Sequence, residues 1–131
     1  MKRVFFILLL LPTMAFCQLG KTEAQLIAKN GMPDTILYSS MNTKVFRFSE
    51  KHLNQKNKVY WQTTDCYLSS DGKCTLFIIH MPKTEEQMLL SKLDSMYFKL
   101  SDSNWQNPKG NVFVSLFTDK NDAQFSFTSE K

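Results

Sequence analysis

VYWQTTDCYLSSDGKCTLFIIH, the stretch from Val59 to His80, decides the fold. Two arms rich in β-branched and aromatic residues, Val59–Leu68 and Lys73–His80, flank Ser69-Ser70-Asp71-Gly72. Polar turn residues with a glycine between two such arms mark a β-hairpin. Each arm carries one cysteine beside the turn, Cys66 and Cys74, placed to tie the two strands together. Opposed residues of an antiparallel pair point to the same face, so a disulfide between these two requires an odd-numbered loop: three residues, with Gly72 in the left-handed region. One face then holds Trp61, Tyr67, Phe77 and Ile79, the other Tyr60, Leu68, Leu76 and Ile78. Both sets are apolar, which predicts that neither face is fully exposed.

Upstream of the hairpin, Thr22-Glu23-Ala24-Gln25 has the spacing of a capping box, and Asn30-Gly31 followed by Pro33 ends the short helix it opens. Ile36–Tyr38 and Val45–Phe48 read as two further strands joined through Ser39-Ser40-Met41-Asn42. Ser49 to Lys58, polar and mostly basic, reads as a mobile, solvated loop. Downstream, Met81-Pro82 stops the strand, and Thr84-Glu85-Glu86-Gln87 opens a second helix. Its stripe of Leu89, Leu93, Met96 and Leu100 carries that helix to about Leu100. Trp105 then falls in a loop closed by Asn107-Pro108 and Gly110, and the last strands are 111–118 and 123–128. The expectation is an α+β domain: an antiparallel sheet of about six strands with two helices packed on it, in the order α-β-β-β-β-α-β-β. Lys21-Thr22-Glu23-Ala24-Gln25 and Lys83-Thr84-Glu85-Glu86-Gln87 open the two helices alike. A tandem duplication and the independent demands of two capped helix starts both account for that echo.

Residues 1–17 stand apart. Lys2-Arg3, the apolar run Val4–Leu11, then Pro12 and Ala15 form the three parts of a secretory leader, and the run is too short to span a bilayer as a helix. Cleavage after Cys17 leaves Gln18 at the new terminus and a single domain over residues 18–131, secreted or periplasmic. An alternative makes Cys17 the lipidated first residue of an envelope protein, the one route by which a membrane enters; Phe16, where a small residue is wanted, argues against it. Without the leader, Cys66 and Cys74 are an even pair in an oxidising compartment. Losing Lys2 and Arg3 also leaves 14 basic side chains against 12 acidic, a net of +2. That balance is too mild for nucleic-acid binding.

The segment LGKTEAQLIAKNGMPD, a capped helix running into Gly31-Met32-Pro33-Asp34 and then a strand-rich stretch ending in Asp71-Gly72-Lys73, resembles the small outer-membrane assembly lipoproteins. It is also similar to the β-lactamase inhibitor proteins, whose repeat is a helix, a Gly-x-Pro turn and a meander of strands. The resemblance covers residues 19–74. It implies a non-enzymatic domain that presents a sheet or loop surface to another protein, and it assigns no binding residue.

Candidates for chemistry are few. The histidines are His52, in the basic loop, and His80, at a strand end. Cys66, Cys74 and His80 lack the paired short spacings of a zinc site, and Asp119, Asn121 and Asp122 lack the terminal glutamate of a calcium loop. No catalytic residue, metal or cofactor is assigned. One alternative is a small hydrolase or ligand pocket built on His80 and Asp65 with Ser69 or Ser70, although no Gly-x-Ser-x-Gly elbow accompanies them. The main expectation is an exported binding domain for a protein or envelope component, using a sheet face or a loop. Trp105, Tyr60 and Trp61 are the candidate contact residues.

Overall fold

The computed structural model describes residues 18–129. The leader expected over residues 1–17, with Cys17, lies outside the described residues. Helix α1 (Glu23–Asn30) opens on the expected capping box: Thr22 Oγ1 accepts from Gln25 N, and Gln25 Oε1 accepts from Thr22 N. It closes at Gly31, φ 82°, whose amide donates to Ile27 O.

Four strands follow, β1 (Thr35–Tyr38), β2 (Lys44–Leu53), β3 (Val59–Leu68) and β4 (Cys74–Pro82). The same turn joins each to the next. Ser39, Asn54 and Ser69 stand at equal intervals, and the amide of each donates to the carbonyl four residues on, in Thr43, Lys58 and Lys73. Each also accepts, at its own carbonyl, the amide three residues on, from Asn42, Asn57 and Gly72. These three residues carry positive φ of 63°, 62° and 79°. Glycine and asparagine are the residues that enter that region at least cost. The leading Ser or Asn side chain then accepts from loop amides, at Thr43, at Lys56 and Lys58, and at Lys73. Ser49–Lys58 is therefore not a mobile loop. β2 runs on to Leu53, and only a bonded turn remains.

The chain repeats this plan. After a 3₁₀ turn (Lys83–Glu85), helix α2 (Glu86–Met96) leads into β5 (Phe98–Ser101), β6 (Asn104–Gln106), β7 (Phe113–Thr118) and β8 (Asp122–Thr128). Asn107 and Gly110, φ 75°, form a related turn between β6 and β7. The sheet order is β1-β2-β3-β4-β8-β7-β6-β5, every ladder antiparallel. Two helix-plus-four-strand units thus meet along β4 and β8, where Phe77 stacks on Phe127 with ring centroids 4.5 Å apart.

The expectation of six strands is overturned, since the sheet has eight. The leucine stripe overran the second helix, which stops at Met96; Met96 and Leu100 are exposed, and Leu93 is the α2 residue that is fully buried. From Phe98 the chain enters a strand and reverses at Ser101, whose Oγ accepts from Ser103 N and Asn104 Nδ2. A helical period therefore continued by coincidence through residues that pair as β5.

The central hairpin also departs from expectation. Its loop is the three-residue one, with Gly72 left-handed, but Tyr67 pairs with Leu76 while Leu68 pairs with Cys74, leaving Thr75 as a β-bulge. One extra residue moves every following side chain of β4 to the other face. Phe77, Ile79 and Met81 consequently join Tyr60, Leu68 and Cys66 on one side, and Leu76 and Ile78 join Trp61 and Tyr67 on the other. The first side is the core, with Phe46, Phe48, Phe77, Ile79, Val114, Phe125 and Phe127 buried beneath Leu26 of α1 and Leu93 of α2.

The expected disulfide is corrected too. Cys66 and Cys74 face the same core but are free thiols. Cys66 lies opposite Phe77 and Cys74 opposite Leu68, so the two are diagonal. The Thr75 bulge offsets them along the ladder, and the two thiols lie in hydrogen-bond contact rather than in a covalent bond. The Cys74 thiol alongside and burial push the Cys66 thiol well above its ordinary pKa, which keeps it protonated and unreactive. The same hydrogen bond pushes the Cys74 thiol down, but both sulfurs are sealed in the core, so iodoacetamide should leave both residues unmodified in the folded protein and alkylate both in urea. Peptide mass mapping without reductant checks this, and a linked Cys66–Cys74 peptide would refute it.

Candidate functional site: the uncovered sheet face

Both helices lie on one side of the sheet, so the ladders lay out rows of side chains on the other. One row runs Arg47, Asp65, Ile78, Ser126, Ser115, Asn104 from β2 to β6. Beside it runs Ser49, Thr63, His80, Gln124, Phe117, and on its other flank Tyr67, Leu76, Thr128, Phe113, Gln106, Phe98. Asp65 and Val45, the β2 partner of Tyr67 on this face, are buried; the other residues are half-buried or exposed. Trp61, Phe117 and Phe98 are 55, 65 and 63% exposed, against 1% or less for the core rings Phe77, Phe125 and Trp105. Seven gaps between strands at about 4.8 Å, and rows spread over about 20 Å along the strands, give a face on the order of 700 Å².

At its centre is a charged cluster. Arg47 donates from Nε to Asp65 Oδ1 at 2.8 Å and from Nη2 to Asp65 Oδ2 at 2.9 Å, the two-pronged pairing that guanidinium geometry allows. His80 Nε2 lies 3.3 Å from Asp65 Oδ2 but off the axis of a hydrogen bond, so that contact is electrostatic. Burial pushes the Asp65 carboxyl up, yet the Arg47 bonds and the nearby His80 outweigh it and hold the group down at about 2. Asp65 is therefore ionised at any physiological pH. Arg47 escaped the sequence reading. Its signal was a lone charge within Val45-Phe46-Arg47-Phe48, a strand otherwise apolar, where a charge needs a partner.

The candidate residues separate. Trp61 stands on the open face beside Lys51, whose Nζ lies 5.4 Å from the indole centroid. Tyr60, the next residue along, faces the helix side, stacked on His52 with centroids 5.5 Å apart. Trp105 is not an exposed loop anchor: it lies on β6, buried, with Nε1 donating to Asp94 Oδ1 at 2.9 Å. Residues 104–106 pair on both sides, and that pairing carries the indole under α2.

The pair proposed for hydrolysis, His80 and Asp65, is brought together, but the serines are not. Ser69 and Ser70 lie at the turn, about 20 Å along β3 from the His80 row, and the Ser69 hydroxyl is engaged with Asp71 and Lys73. With its charge matched by Arg47, Asp65 works mainly as a fixed strut beneath the face. No group of three His, Cys, Asp or Glu among the described residues comes together to hold a metal ion. A cavity of about 720 Å³ lies elsewhere, between the β2–β3 turn and α2, and includes Tyr60 but neither His80 nor Asp65. Compared with family models, curated proteins and solved structures, the chain matches none.

Proposed function

We propose that this is an exported, non-enzymatic domain, secreted or periplasmic, that binds a protein through its uncovered sheet face. The observation that carries the reading is the uncovered face itself: eight strands backed by core on one side and, on the other, exposed Trp61, Phe117 and Phe98 among serines, threonines and amides. Aromatic anchors among small adaptable polar groups are the composition of protein-binding surfaces. The area matches as well, since one partner in a standard complex contributes about 800 Å². Asp65, held between Arg47 and His80, stiffens the centre of the face, so little ordering entropy is lost on docking. Export rests on the leader-like residues 1–17, and the likeness of residues 19–74 to domains that present sheets to other proteins points the same way.

The test uses a photo-crosslinking amino acid placed singly at Trp61, Phe117 and Ser126, in the native host. All three positions should give the same crosslinked protein partner, and Ser95 on α2 should give none. Replacing Trp61 and Phe117 together by alanine should weaken that complex tenfold or more, as loss of about 1.4 kcal/mol or more at a hot spot requires, with little change in the melting temperature. Crosslinks from Ser95 alone, or a chain that stays uncrosslinked at every open-face position, would end the proposal.

A further inference from the structure

The cavity on the helix side of the sheet has a chemistry of its own. Its rim on one side is the β2–β3 turn and on the other the start of α2, and Lys56, Lys58 and Lys92 converge on it. None of the three takes part in an ion pair among the described residues. The one carboxylate in the lining, Glu85, is already engaged, since its Oε2 accepts from Asn54 Nδ2 at 3.2 Å and from Thr84 Oγ1 at 3.3 Å. The Asn54 bond spans the groove and ties its two walls together. Asn54 does more, because its Oδ1 accepts from both Lys56 N and Lys58 N and so fixes the backbone that carries two of the lysines. Three ammonium groups against one carboxylate leave the lining a net positive charge. The ring of Tyr60, backed by His52, and the exposed Met88 add apolar surface. A volume of about 720 Å³ far exceeds that of an inorganic ion and falls within the roughly 300–1,000 Å³ of small-molecule sites.

We propose that this groove binds a small organic anion, its acidic group held by Lys56, Lys58 and Lys92 and its apolar body set against Tyr60 and Met88. The site is separate from the open sheet face and does not depend on what that face binds. The probe is 8-anilinonaphthalene-1-sulfonate, an aromatic anion, titrated by fluorescence against the folded chain, with uncharged N-phenyl-1-naphthylamine as its control. The sulfonate should bind and the uncharged analogue should not. Lys58→Glu with Lys92→Glu should weaken binding about tenfold, while Lys73→Glu with Lys109→Glu, on exposed turns at the opposite end of the strands, should leave it unchanged. Amide chemical shifts should move at residues 54–60 and 84–92. Equal binding of the uncharged probe, equal loss in the two double variants, or shifts centred on Trp61 and Phe117 would each overturn the assignment. So would lysine-dependent sedimentation with phosphatidylglycerol vesicles without binding of the soluble anion, which would make the groove a bilayer contact.

Discussion

Asp65→Ala should lower the unfolding free energy by about 2–3 kcal/mol and flatten its acid dependence. The carboxylate is buried on the sheet face, ionised, and takes both prongs of Arg47. Its removal leaves the Arg47 guanidinium with no counter-charge, but Arg47 is 41% exposed and can recover water, which keeps the loss below that of a fully buried pair. The pH dependence follows from the direction of the shift. Asp65 is held down at about 2 against an ordinary 3.8, so its contribution is complete above about pH 4 and is lost as pH falls through about 2. In the unaltered protein that step amounts to about 2 kcal/mol. Urea melts at pH 7, 4, 3 and 2 should show the gap between variant and parent shrink towards the acid end. A gap that stays constant with pH would mean that the Arg47 and His80 contacts do not stabilise the fold. Asp65→Asn separates charge from shape, because its amide can accept one Arg47 bond but presents donors to the other; most of the loss should remain.

Trp105→Ala should cost about 3–5 kcal/mol, a large share of the roughly 5–15 kcal/mol total of an ordinary domain. The indole is the largest fully buried side chain, and its Nε1 bond to Asp94 fastens β6 to α2. Truncation opens a cavity between sheet and helix and breaks the tie to Asp94, whose exposed carboxylate turns to water, so the second unit should loosen first. Trp105→Phe keeps a ring and should lose about half as much. The two tryptophans also report separately. Emission of the Trp61→Phe variant comes from a buried indole and should be blue-shifted, whereas that of Trp105→Phe comes from an indole 55% exposed and should be red-shifted. The opposite order would contradict the burial of Trp105 in β6.

Much of the first unit was written in local signals. Thr22 with Gln25 marked the start of α1, Asn30-Gly31 its end, and Ser69 to Gly72 the turn of the central hairpin, because each depends on hydrogen bonds between groups only a few residues apart. The even spacing of Ser39, Asn54 and Ser69, each followed three residues later by Asn or Gly, was also present in the sequence. Read as a turn rule, it shortens the basic loop to a hairpin and reveals Asn107 with Gly110 as its counterpart in the second unit.

The amino-acid sequence by itself determined the α+β class, the capped start of α1, the turns and the stock of apolar residues for one core, since these follow from propensities and bonds that act over a few residues; the capping box expected at Thr84 does not form, and α2 opens at Glu86 behind a 3₁₀ turn. Tertiary structure alone decided the rest. Thr75 bulges only in the company of β3, and that single displacement sends Phe77 inwards and Ile78 outwards. β4 pairs with β8 across 40 to 52 residues of chain, which turns two meanders into one eight-stranded sheet with a bare side. Arg47 neutralises Asp65 from a neighbouring strand, and Lys92 meets Lys56 and Lys58 from a helix beyond the next strand. Register, pairing across distance and the convergence of charge are set by which folded arrangement buries the most apolar surface with its polar groups satisfied, and no short window of residues contains that comparison.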